Sequence, residues 1–151
     1  MEVSIGTVTI YYKSEGIYRV LLTYSGLPSQ SGEQGQIPWP GLKRDLELFF
    51  AGKGRDIDWD YPIIMEDYTP WTRKVLEMTK KIPFGQTCTY GELAEKVGSP
   101  RAARAVGQAL GRNLTPVLIP CHRVIGSRGE LVGFGAGLHW KEKLLKLEGS
   151  R

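Results

Sequence analysis

Cysteine is scarce in this chain of 151 residues: Cys88 and Cys121 are the only two, too few for a disulfide framework, and at least one is expected to be a free, reactive thiol. No apolar run approaches the roughly 20 residues that a membrane-spanning helix needs, which excludes a spanning segment. The opening MEVSIGTVTIYY alternates polar and apolar residues and lacks the basic start, apolar centre and cleavage site of a signal peptide, so a cytoplasmic protein is expected. No C-x-x-C or comparable ligand spacing occurs, so Cys88, Cys121, His122 and His139 are not expected to hold a metal. The Gly-rich Gly133-Phe134-Gly135-Ala136-Gly137 fits neither G-x-G-x-x-G nor a P-loop, and reads as a loop that lets backbone approach a ligand. Repeats and low-complexity tracts are also absent.

What is present is a soluble, globular composition, 41% apolar and 24% charged, with an uneven division of charge. Residues 1–67 carry six Lys/Arg against ten Asp/Glu, a net of −4, whereas residues 68–151 carry fourteen against six, a net of +8. From Lys96 to Gly129 there are six basic residues and no acidic one. A polyanion is the natural partner of such a stretch.

The patterning predicts an α+β chain: a small N-terminal lobe of sheet and helix over 1–67, then a mainly helical lobe over 68–151. Val3 to Tyr12 and Ile17 to Tyr24 alternate like strands around Lys13-Ser14-Glu15-Gly16, a hairpin signal. Residues 25–38 read as a loop, and Leu42, Leu46, Phe49 and Phe50 then recur at helical spacing before Gly52 and Gly54. Asp56 to Asp67 is an acidic, irregular connection. Thr69 as N-cap with Pro70 in the first helical position opens the next helix, carrying Val75, Leu76 and Met78, and Pro83-Phe84-Gly85 breaks it after Ile82.

Thr89-Tyr90-Gly91-Glu92 matches a capping box for a short helix with Leu93, Ala94 and Val97 on its apolar face, stopped at Gly98. Ser99-Pro100 is expected to cap another helix, from Arg101 to about Gly111, that turns Ala102, Val106 and Ala109 inward. The pair suggests a helix-turn-helix. At about 100° per residue, Arg101, Arg104, Gln108 and Arg112 share its outward face with Gly107 and Gly111 alongside, a face suited to phosphates and close backbone approach.

Pro120-Cys121-His122-Arg123-Val124 carries the chemistry. A thiol becomes a strong nucleophile only as thiolate, and neighbouring cations or a base must lower its pKa from about 8.5; His122 and Arg123 are placed to do so. A last helix, Leu138 to Glu148, is expected to turn Leu138, Leu144 and Leu145 inward with Lys141 and Glu148 among them. Charges on a core-facing stripe need partners, and Glu148 is a candidate to orient His122.

Together these segments resemble the O6-alkylguanine-DNA alkyltransferases (methylated-DNA–protein-cysteine methyltransferases) over about residues 68–149. Pro120 to Val124 is similar to the family's active-site signature, Arg101-Ala102-Ala103-Arg104-Ala105-Val106-Gly107 to its recognition helix, and Phe84-Gly85 to Tyr90 to the segment leading into its helix-turn-helix. The resemblance implies a DNA-repair enzyme, monomeric in the family's manner, that needs no cofactor and acts on double-stranded DNA carrying O6-alkylguanine. In it the alkyl group passes irreversibly to Cys121, activated through a water by His122, with Glu148 orienting the imidazole. Arg104 fills the gap left by the flipped nucleotide, reached through the minor groove, while Tyr90 crowds its phosphate and helps protonate the guanine. Asn113 is the hinge between recognition helix and active-site loop, and Lys141 falls near the site. Phe134 and Gly135 stand where some members carry a tyrosine and a serine; with Asn113, Lys141 and Arg123 they are assigned to the substrate pocket.

Two other readings compete. One is a DNA-binding protein that recognises damage without transferring anything. The other is a thiol hydrolase using Cys121, His122 and Glu148, which leaves the basic helix without a purpose.

Overall fold

A short hairpin begins the chain because polar and apolar residues alternate there and a two-residue turn reverses them. The computed structural model describes residues 2–3, 6–24 and 37–151. Strand β2 (Gly6–Lys13) pairs antiparallel with β3 (Gly16–Thr23) around Ser14-Glu15, and β1 (Glu2–Val3) adds a third strand on the other edge of β2. The single strand expected from Val3 to Tyr12 is thus two. A Cβ at Gly6 would lie 2.1 Å from the Thr23 carbonyl oxygen, so only glycine fits where β2 starts. Of the loop expected at 25–38, residues 25–36 lie outside the described residues.

Helix α1 (Gly41–Phe50) buries the four residues its spacing picked out, Leu42, Leu46, Phe49 and Phe50. Each contributes about 1.5–3 kcal/mol by leaving water. Beyond it the 56–67 connection is irregular, touching the sheet through an Ile17–Ile63 bridge and α1 through the Tyr61 hydroxyl, which donates to Asp45.

Helix α2 (Pro70–Thr79) starts as its sequence dictates, with Thr69 Oγ1 accepting from Thr72 N–H and Pro70 in the first turn. The chain then turns through Ile82 into β4 (Cys88–Thr89). Helix α3 (Tyr90–Lys96) is capped by Thr89 Oγ1 accepting from Glu92 N–H, and Gly98 at φ 83° ends the turn that follows. Helix α4 (Ala103–Leu110) begins two residues later than expected: Ala102 is its N-cap, and Ser99 instead closes the preceding turn by accepting from Ala102 N–H. Residues 99–102 thus form a turn of their own, which takes up the two positions expected to be helical.

One core joins α2, α3 and α4 with Ile119, Cys121 and Val124; the other joins the sheet and α1 with Val117, Leu118, Trp140 and Leu144. Residues 117–124 therefore run between two packed bodies. Helix α5 (Leu138–Leu147) closes the second core, but with Trp140, Lys141, Leu144 and Leu145 inward, while Leu138 is exposed. Positions 140, 141, 144 and 145 form one helical face, and the bulk of Trp140 rather than Leu138 sets its phase. Among the described residues no helix is long and apolar enough to cross a membrane.

Candidate active site

Two short strands assemble the site. Cys88–Thr89 pairs in parallel with β5 (Val124–Ile125), so the start of α3, with Tyr90 in its first turn, is fixed beside the 3-10 turn formed by Cys121–Arg123. The approach to that turn is tightly constrained. Asn113 Oδ1 accepts from Thr115 N–H and its Nδ2 donates to the Ile119 carbonyl, each at 3.0 Å, while Ile119 N–H returns to the Thr115 carbonyl. Within this cinched loop Val117 has φ 74°, costly for a β-branched residue and tolerated because its neighbours over-determine it.

Glu148, one residue beyond α5, collects two partners from the 121–123 turn. His122 Nε2 lies 2.7 Å from Glu148 Oε1, and Arg123 grips the same carboxylate through Nε, at 3.0 Å to both oxygens, and Nη2, at 2.7 Å to Oε1. Arg123 Nη1 donates to the Ile82 carbonyl at 2.6 Å. All three residues are buried. Burial alone would raise the Glu148 carboxyl, but the hydrogen bonds from His122 and Arg123 override it and hold it below its ordinary range. Burial pushes His122 down from 6.5 despite Glu148, so the imidazole is neutral at pH 7. A carboxylate can only accept, so Nε2 carries the ring proton. Nδ1 is consequently a lone-pair acceptor, and it is buried with no partner among the described residues.

Burial dominates the state of Cys121. Burial pushes Cys121 up to about 11, against the opposing pull of Asn113, the Lys141 charge and backbone hydrogen bonds. His122 is uncharged and the Arg123 charge is consumed by Glu148, so neither supplies the expected cation. The resting sulfur is a thiol, with 9% of the residue exposed. Tyr90 and Lys141 converge on one backbone oxygen beside it. The Tyr90 hydroxyl donates to the Val132 carbonyl at 2.7 Å, and Lys141 Nζ donates to it at 2.9 Å and to the Gly133 carbonyl at 3.3 Å. Desolvation lowers Lys141 to about 8, so it keeps most of its charge at neutral pH. Burial raises the Tyr90 phenol, which stays protonated.

Arg101, Arg104, Gln108 and Arg112 are all exposed, as the helical wheel placed them. Gly107 faces the Tyr90 ring: its Cβ would stand 3.7 Å from that ring, an ordinary contact distance. Phe134 packs against both cores, whereas Gly135 is exposed with open space where a side chain would project. Arg123 lies behind the turn with Glu148 rather than with Phe134 and Gly135. The carbonyls of Val132 and Ile82 are contributors that sequence reading missed, because backbone acceptors leave no residue-type signal. The folded forms of both His122 and Glu148 have depressed pKa values, so each contributes stability above its unfolded pKa that is lost as pH falls. Urea midpoints should therefore hold near neutrality and drop below about pH 6.5, then further below about 4.5; a midpoint unchanged from pH 8 to 4 would contradict the buried triad.

Residues 70–150 match the family described as 6-O-methylguanine DNA methyltransferase, DNA binding domain. The chain is 47% identical over 107 residues to a methylated-DNA–protein-cysteine methyltransferase of Methanosarcina acetivorans, covering 71% of this chain and 67% of that protein. It is 40% identical over 140 residues to one from Shigella flexneri, covering 93% and 72%. Among solved structures, Mycobacterium tuberculosis OGT in complex with DNA superposes with a TM-score of 0.81 at 33% identity, covering 99% of this chain and 91% of that one.

Proposed function

The chain belongs to the methylated-DNA–protein-cysteine methyltransferase family, and on that premise we propose that it repairs O6-alkylguanine in double-stranded DNA by moving the alkyl group onto its own Cys121. The observation that carries this reading is the buried neutral His122, locked by Glu148 with an unshared Nδ1, one residue from a protonated thiol.

The thiol proton passes through a water to His122 Nδ1, and Glu148 stabilises the imidazolium that forms. The sulfur electron pair attacks the alkyl carbon, the carbon–oxygen bond breaks, and its electrons move into the guanine. Tyr90 leaves the Val132 carbonyl and supplies a proton to that leaving group. Charge and atoms balance with no cofactor, and the thioether does not revert, so one chain performs one reaction. Lys141 supports the transient thiolate by its charge and ties the 132–133 carbonyls that border the pocket. Asn113 holds the strained 115–119 loop, Phe134 and Gly135 border the base, and Arg123 acts from behind by holding Glu148. Residues 68–151 carry binding and transfer. Residues 1–67 are structural, since their core extends to Val117, Leu118 and Trp140 and buttresses the site. The protein works as a monomer in the cytoplasm.

A stacked base cannot reach a buried sulfur, so the nucleotide must leave the duplex. Arg104, exposed on α4, fills the gap, with Arg101, Gln108 and Arg112 along the minor-groove face. Arg104→Ala should slow repair of duplex DNA about 10- to 100-fold, equivalent to the few kcal/mol of an unstacking step, and leave reaction with free O6-benzylguanine within about twofold. Equal losses on both substrates would remove the wedge assignment. Incubation with a labelled O6-benzylguanine probe tests the function itself: one label per chain is expected. Repeated turnover of an ester or amide with no self-labelling would instead identify a thiol hydrolase.

A further inference from the structure

Behind the active-site turn, on the side to which Arg123 rather than Cys121 contributes, lies a cleft of about 440 Å³. Its walls come from Gly54–Arg55 and Ile57–Asp60, from the 80–84 turn after α2, and from Val117, Leu118, Pro120 and Arg123. That volume falls within the range of small-molecule sites, about 300–1,000 Å³. Alkyl transfer makes no use of it.

Its lining has three chemistries. Arg55, Lys80 and Lys81 are exposed cations, and none has a salt bridge among the described residues. Trp59 and Phe84 supply aromatic walls, with the Arg55 guanidinium 5.5 Å from the Phe84 ring centroid and that of Arg123 5.9 Å from it. Asp58 and Asp60 flank Trp59 and accept hydrogen bonds only. Both acids argue against a simple polyanion, which they would repel. They suit a ligand with an anionic end for the cations, a flat ring for Trp59, and an edge of N–H donors for a carboxylate. A guanine nucleotide has all three: a phosphate, a purine, and adjacent N1–H and N2–H donors that match a carboxylate in pairs.

We propose that this cleft is a second ligand site, for a guanine mononucleotide, separate from the pocket that receives the flipped base. The phosphate sits among Arg55, Lys80 and Lys81, the purine lies along Trp59, and Asp58 or Asp60 reads its donor edge. Arg123, which forms part of the lining, connects the site to Glu148.

Heteronuclear NMR titration of the full chain with GMP tests this directly. The expected result is saturable shifts at residues 54–60 and 80–84, weaker by at least tenfold in affinity with Arg55→Ala or Lys81→Ala. Both variants should transfer alkyl groups at the normal rate, since neither side chain belongs to the transfer machinery. Inorganic phosphate and guanosine, each alone, should bind at least tenfold more weakly than GMP. Shifts confined to Tyr90 and 132–137 would place the nucleotide in the base pocket and overturn the proposal. So would phosphate binding as tightly as GMP, an undamaged DNA duplex displacing GMP from the 54–60 wall, or no shifts at 10 mM GMP.

Discussion

Cys121→Ser should transfer no detectable alkyl group, yet bind an alkylated duplex within about twofold of the unaltered protein, a difference near 0.4 kcal/mol. The serine hydroxyl fits the same small volume between Asn113 and Lys141. It has a far higher pKa than a thiol and is a weaker nucleophile toward an alkyl carbon, and His122 has no means to ionise it. Binding rests on other groups, the exposed Arg101 and Arg112 that flank α4 and the Arg104 wedge on it, which the substitution leaves untouched. Electrophoretic mobility with an O6-methylguanine duplex, run beside transfer of a radiolabelled methyl group, separates the two quantities. Loss of binding together with transfer would show that Cys121 supports the fold, whereas retained transfer would move the chemistry to another residue.

Glu148→Gln should have the second largest effect, and on two quantities at once. The amide leaves Arg123 buried without a counter-charge, and removing one partner of a buried pair costs about 3–5 kcal/mol. For a chain of this size that lowers the thermal midpoint by roughly 6–20 °C. It also replaces an acceptor-only carboxylate by an amide that can donate as well as accept, so the His122 proton is no longer fixed on Nε2 and the imidazolium loses its counter-charge, and transfer should slow by about 10²- to 10⁴-fold. The double variant Arg123→Met, Glu148→Gln distinguishes these losses. With no stranded charge it should recover most of the stability and none of the rate. Recovery of both would mean that Glu148 acts only through folding.

Much of this was legible in sequence wherever the signal was local. Leu42, Leu46, Phe49 and Phe50 announced the buried face of α1, and Thr69-Pro70 and Thr89 placed two helix starts, because a cap and a period are read within a few residues. The exposed stripe on α4 followed from the same geometry. Features set by distant partners were not legible. Arg123 and Glu148 are 25 positions apart, and nothing in either neighbourhood says that they join, so the guanidinium looked available to the thiol. Pairing of Cys88–Thr89 with Val124–Ile125 is two residues long on each side, too short for a strand pattern. On α5 the inward face of Lys141, Leu144 and Leu145 was read from the sequence, but Leu138 was placed on it and Trp140 was not, because exposed Leu138 looks as apolar as buried Trp140. His122 and Glu148 were paired correctly, but the state of the sulfur depends on burial, and burial comes from the packing of the whole domain.

Mass spectrometry of the intact protein and its peptides, after reaction with a duplex carrying one isotope-labelled O6-methylguanine, addresses the central claim most directly. The account predicts a single added methyl group, carried entirely by the peptide containing Cys121, and a duplex restored to guanine in equal amount. A methyl group on Cys88, more than one per chain, or a restored duplex with unmodified protein would contradict it.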